Sequence, residues 1–175
     1  MVDVLFGDYN PGGKLAITVP RGVGQVPIYY GHKASGGRSQ WKIEYVEMSN
    51  KPLYPFGYGL SYTTFTLDNL RCDQERVRPG DHITLCVDVT NTGPVAGDEV
   101  VQLYIRVPNA SVTRPVKELK GFQRVHLKAG ERRSVRFVFA VNQCAYRDEA
   151  MRLVVEPGPL QVMIGTSSED TPLAA

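Results

Sequence analysis

The chain has 175 residues, is 42% hydrophobic and carries a formal net charge of +2. That length and apolar content suffice for one packed domain with an appendage, and so small a net charge gives no electrostatic ground for a nucleic-acid or anionic-membrane partner. Three cysteines without CxxC spacing argue against a disulfide framework and a zinc site, with one pair still open to forming, and no apolar run approaches the roughly 20 residues that span a bilayer.

Met1 to Phe6 enters an apolar segment without cap or leader, which reads as a chain cut from something longer. Val4-Leu5-Phe6 reads as a helix end and Gly7 to Lys14 as a turn-rich loop. The loop is not a phosphate cradle, because Lys14 is followed by Leu15 where Ser or Thr is required. Leu15 to Val19, closed by Pro20, and Val26 to Tyr30 are two short extended pieces, neither able to stabilise itself alone.

Residues 31–50 show no period and read as an irregular surface loop holding the only tryptophan. Trp41, Arg38 and His32 are its candidate sugar contacts, since a pyranose ring stacks on an indole face. A lid-like loop that needs no ligand is the alternative.

Pro55 to Phe65 divides two regimes, with Gly57 and Gly59 allowing a sharp turn and Pro55 fixing its own φ. Tyr54, Phe56, Tyr58, Tyr62 and Phe65 around them suit a connector packed between two bodies better than a ligand platform. Beyond it, short alternating rows follow one another: Thr64 to Leu70, Ile83 to Val89, Val101 to Val107, Gly121 to Leu127, Val135 to Phe139, Leu153 to Val155 and Leu160 to Ile164. Gln102, Tyr104 and Arg106 take the polar, outward places of the third row. Asn91-Thr92-Gly93-Pro94 is a turn in which Gly93 is expected to tolerate substitution poorly if its φ is positive, and Asn142 to Ala145 suits one helical turn. Seven strands in about 100 residues predict an all-β fold, an antiparallel sandwich of immunoglobulin or fibronectin III type. The absence of a cysteine pair with an intervening tryptophan favours the latter.

The remaining polar residues carry no catalytic pattern. His32, His82 and His126 are scattered without metal or triad spacing. Asp88, Asp98, Glu99 and Glu118 fall at turns, strand ends or outward positions and read as solvated or paired. The basic residues from Lys117 to Arg136 read as a solvated face, and Arg114 and Glu118 as ties to neighbouring surfaces. Asn109-Ala110-Ser111 fits an N-glycosylation triplet, which matters only in a eukaryotic secretory route.

Several long motifs, in order, resemble the C-terminal region of glycoside hydrolase family 3. They are Asp3 to Leu15 (DVLFGDYNPGGKL), Pro52 to Phe65 (PLYPFGYGLSYTTF), Val89 to Gly93, Glu99 to Tyr104 and Thr113 to Phe122. The resemblance implies a parent of three parts, a (β/α)8 barrel, an α/β sandwich domain and a fibronectin type III-like domain, that cleaves β-glucosides or related β-glycosides with retention. It also implies that the nucleophilic Asp and the acid/base Glu lie upstream of Asp3, so no catalytic residue, cofactor or metal is expected here. Chemistry agrees, because retaining hydrolysis needs two carboxyls roughly 5 Å apart, one with a raised pKa, in a deep pocket.

The expected organisation is a remnant of the α/β domain and loop over residues 1–54, a hinge over 55–65 and the fibronectin-like domain over 66–175. The expected function is a non-catalytic portion that stabilises or shapes a β-glucosidase, with the missing barrel and α/β domains as partners and substrate reached only through the parent. The alternative is a free-standing carbohydrate-binding module that uses Trp41, Tyr29 and Tyr30. Leu15, Ile17 and Val19 are expected to lack covering strands. The reading therefore favours a homodimer, against a fold-back anchored by Tyr29, Tyr30 and Trp41 or a partly disordered stump.

Overall fold

The computed structural model describes residues 1–34 and 49–175. Strands β1 (Phe65–Cys72), β2 (His82–Asn91), β3 (Gly97–Arg106), β4 (Glu118–Leu127), β5 (Arg132–Ala140), β6 (Tyr146–Arg147), β7 (Leu153–Val154), β8 (Gln161–Gly165) and β9 (Leu173–Ala174) form three antiparallel sheets. β1-β2-β5 is one layer of the sandwich, β4-β3-β8-β9 is the other, and β6-β7 is a small separate hairpin. All seven expected rows are present. β6 and β9, two residues each, lie outside the expected rows. The expected helical turn is a 3-10 turn at Val141–Cys144.

Alternation builds the core. Leu85 and Val87 of β2, Leu103 and Ile105 of β3, Phe137 and Phe139 of β5, and Ile164 of β8 meet between the layers, each at most 4% exposed. This interior is apolar because each strand contributes every second side chain to it. The three cysteines are unpaired.

Before the sandwich the described residues include one α-helix, α1 (Val2–Phe6), stopped by Gly7 at φ 87° in the left-handed region. The two expected extended pieces do not form strands. Val19 makes one isolated antiparallel bridge with Tyr54, and Val23–Gln25 is a 3-10 turn. The edge expected to be bare is nonetheless partly covered within the chain. Leu15 donates its N–H to Tyr58 O (2.8 Å) and accepts from Gly57 N–H (2.8 Å), while Val19 N–H donates to Tyr54 O (2.8 Å). The described leading segment folds back on the sandwich with Tyr30 as an anchor, whereas Tyr29 stays exposed and Trp41 lies outside the described residues.

At Gly93 the backbone reason for glycine does not hold. Its φ is not positive, but a Cβ there would overlap Thr63 Oγ1 and come within 2.7 Å of Thr64 N. The requirement for glycine is one of closeness, not of backbone conformation.

Candidate functional site

The site these elements build is the seam where the leading segment lies across the outer face of β3 and β8. Gln102 and Tyr104, read from alternation as outward, are 3% and 0% exposed, because the loop around Gly57 covers that face. Gly57 adopts φ 80° and lies so close to the Gln102 amide that any Cβ would collide with it. Gln102 Nε2 donates to Gly57 O (3.1 Å) and Thr166 O (2.6 Å), while its Oε1 accepts from Tyr104 Oη (2.6 Å). Burial, with a smaller contribution from Tyr30, pushes the Tyr104 phenol up from its ordinary pKa, so the hydroxyl keeps the proton that it donates to Gln102.

Aromatic packing closes the seam. Tyr30 stacks on Phe56 with centroids 4.5 Å apart and meets Tyr104 edge-on at 5.7 Å. Ser168 N–H donates to Phe56 O (2.9 Å), and Lys117 Nζ donates to Ser168 O while lying 5.9 Å from the Tyr104 ring centre. Lys14 pairs with Glu99 at 2.6 Å, both side chains nearly buried. Asn10 donates to Ala96 O (2.9 Å) and accepts from Ser61 Oγ (3.0 Å) and Tyr62 N–H (2.8 Å).

Asn91 organises the neighbouring end of the sandwich. It is fully buried, and its Oδ1 accepts from Thr63 Oγ1 (2.6 Å) and Gly93 N–H (3.1 Å) while its Nδ2 donates to Val95 O (2.8 Å) and Leu127 O (3.1 Å). The amide thus joins the hinge, the turn after β2 and the end of β4, a role that a turn reading could not reveal. The turn signal marked its location only.

Of the three candidate sugar contacts, Arg38 and Trp41 lie outside the described residues. His32 is described: its carbonyl accepts from Val116 N–H (2.9 Å), its Nδ1 lies 2.8 Å from Lys33 O, and Lys33 forms an antiparallel bridge with Pro115. The strap at Pro115–Val116 therefore holds the chain just before residue 35. Arg114 and Glu118, expected to tie neighbouring surfaces, pair with each other at 2.8 Å, and the Arg114 guanidinium lies 4.8 Å from the Tyr146 ring centre.

Asp88, Asp98, Glu99 and Glu118 are all paired, and two of them, Asp88 and Glu99, are buried. Asp88 is held well below the usual carboxylate range by the Arg132 hydrogen bond, then by Asn69, with Ser134 and Arg71 adding to these and desolvation opposing. Desolvation pushes Asp98 up, but His126 and Arg124 together bring it below its ordinary value. Glu131 is lowered by the Lys128 N–H and Arg133, and Glu156 by Ser111 and Tyr146. Each of these shifts is opposite to what a general acid needs. A cleft of about 310 Å³ opens between Val77, Pro79, Val107, Cys144 and Leu160, and the one carboxyl on its wall is Glu156. Among the described residues no group of three or more His, Cys, Asp or Glu could hold a metal ion.

With this geometry in hand, comparison with known proteins gives consistent matches. Residues 1–62 match the glycosyl hydrolase family 3 C-terminal domain, and residues 99–168 match the fibronectin type III-like domain. A periplasmic β-glucosidase of Salmonella typhimurium is 44% identical over 96% of this chain, and a β-xylosidase of Formosa agariphila is 42% identical over 97%. The crystal structure of a Listeria innocua β-glucosidase in complex with glucose superposes with a TM-score of 0.90 at 36% identity over 99% of the chain. The chain spans 23% of the length of the first two proteins and 25% of the third.

Proposed function

The chain belongs to glycoside hydrolase family 3, as its C-terminal region, and on that premise we propose that it is a non-catalytic part of a retaining β-glycosidase acting on terminal β-D-glucosides. Its task is to brace the parent's remaining α/β domain and barrel. Residues 1–54 belong to the α/β domain, 55–65 form the hinge and 66–175 the fibronectin-like domain. Trp41, Arg38 and His32 contact substrate within the assembled enzyme.

One observation carries this reading. Among the described residues, thirteen of the eighteen exposed large hydrophobic side chains lie before residue 63. α1 shows this most clearly, since Val2, Leu5 and Phe6 are all exposed and the helix buries no residue. Five residues cannot hold an isolated helix in water, so this apolar face suits a partner surface from the parent. The sandwich, by contrast, keeps its apolar rows inside.

The test is reconstitution: the upstream part of the Salmonella relative, cut where this chain's similarity begins, is produced with the chain. Hydrolysis of an aryl β-glucoside is expected from the pair and from neither part alone. Full activity of the upstream part alone, or turnover by the chain alone that a substitution of one of its own carboxylates abolishes, would overturn the proposal.

A further inference from the structure

We propose that the cleft at the end of the sandwich away from Asn91 binds a neutral aryl alcohol or phenol of one or two rings, with the rings between its apolar walls and the hydroxyl donating to Glu156. All of the groups involved belong to the sandwich and its loops.

Strand pairing brings distant segments together there. His82 pairs with Ala140 and Arg106 with Gln161, so the chain just beyond each pair, holding Val77, Val141, Val107 and Leu160, gathers at one end. The space left between them is about 310 Å³. An apolar cavity of about 150 Å³ is enough for a benzene ring, so one or two rings fit. Val77, Val107, Val155 and Leu160 are only partly buried against the core, and apolar atoms facing such a gap lack contact partners on one side. A flat apolar ring supplies them. Pro79, Pro157 and Pro159 fix φ along the rim, so little ordering remains for a ligand to impose.

Polar groups decide the ligand's class. Ser111 N–H donates to Glu156 Oε2 (2.9 Å) and Ser111 Oγ to Glu156 Oε1 (2.6 Å). These bonds orient the carboxyl and, with one from Tyr146, hold it below the ordinary carboxylate value. An ionised carboxylate only accepts, at about four lone-pair sites, so a site remains for a donor arriving from the cleft. The other charged side chain on the wall is Arg78, and the two charges sum to zero. Any ligand ion would meet one like charge and lose its hydration between apolar walls. A hydroxyl meets Glu156 through a charge-assisted hydrogen bond without adding charge.

The experiment titrates the full chain with β-naphthol by calorimetry at neutral pH, with β-naphthoate and β-naphthylmethylamine as anionic and cationic counterparts. Saturable one-to-one binding of β-naphthol with Kd at or below about 1 mM is expected, with both ions weaker by about tenfold or more. Val77→Trp fills the cleft from a loop outside the strands and should abolish binding. Glu156→Gln keeps the shape but exchanges the ionised acceptor for a neutral amide. It should weaken β-naphthol by about fivefold or more and narrow the gap to β-naphthoate. Should Val77→Trp fold poorly, the ligand series on the unaltered chain and Glu156→Gln still decide. Absence of saturable β-naphthol binding, equal affinity for either ion, or binding that survives Val77→Trp would overturn the site, and unchanged affinity in Glu156→Gln would overturn the assigned ligand class.

Discussion

Asp88 shows how a single residue's chemistry becomes a stability statement. It accepts from Asn69 Nδ2 (3.2 Å), Arg71 (2.9 Å) and Arg132 (2.9 Å) on the outer face of β2. A carboxyl whose pKa is lowered by folding stabilises the native state above its unfolded value, about 4, and loses that contribution as pH falls toward its folded value. Melting temperatures between pH 6 and 2.5 should therefore drop mainly below about pH 4, and Asp88→Asn should flatten the drop. Parallel pH curves for the two proteins would show that Asp88 contributes nothing there. Gly57 gives a second expectation. Gly57→Ala must adopt φ 80° and displace the Gln102 amide, so denaturant melts should show a loss of at least about 1 kcal/mol. An unchanged midpoint would mean that the seam yields freely. Asp88 was legible as a solvated or paired carboxylate, without a choice between the two, and Gln102 and Tyr104 were not legible as buried, since alternation assigns a face without saying what covers it.

At the scale of elements, β2, β3 and β5 were readable because their inward residues recur every second position for nine or ten residues. Phe137 lies 4% exposed at the middle of β5, opposite Leu85 in register. Phe137→Ala should cost about 3–5 kcal/mol, the range for a buried phenylalanine, and a loss below about 1 kcal/mol in denaturant melts would contradict its placement. The extended pieces near Val19 and Tyr30 were misread for the opposite reason. Their apolar residues are divided between packing within the chain and exposure, and neither piece continues far enough to form a ladder.

For the whole molecule, the leading segment's double allegiance matters most. It is bound to the sandwich through Lys14, Asn10, Tyr30 and Gly57, yet it presents Val2, Leu5, Phe6 and Leu60 outward. Produced without the parent's other domains, the chain is expected to self-associate through those side chains. Light scattering over a dilution series should show a mass that falls toward the monomer as concentration drops, and a Phe6→Ser variant should shift the transition to higher concentration. A constant monomer mass throughout would remove self-association.

Strand alternation and turn residues were enough to predict the sandwich, because each is a local pattern that a packed sheet requires of consecutive residues, while the ordered glycine- and aromatic-rich motifs carried the resemblance to the family. What covers the outer face of β3, why Gly93 must be glycine, and where Asn91 makes its amide hydrogen bonds were decided only in three dimensions. Those contacts join residues up to tens of positions apart, Gln102 to Gly57 and Thr63 to Asn91 among them. A buried amide and an exposed one are the same letter until the chain folds back and removes the water from one of them.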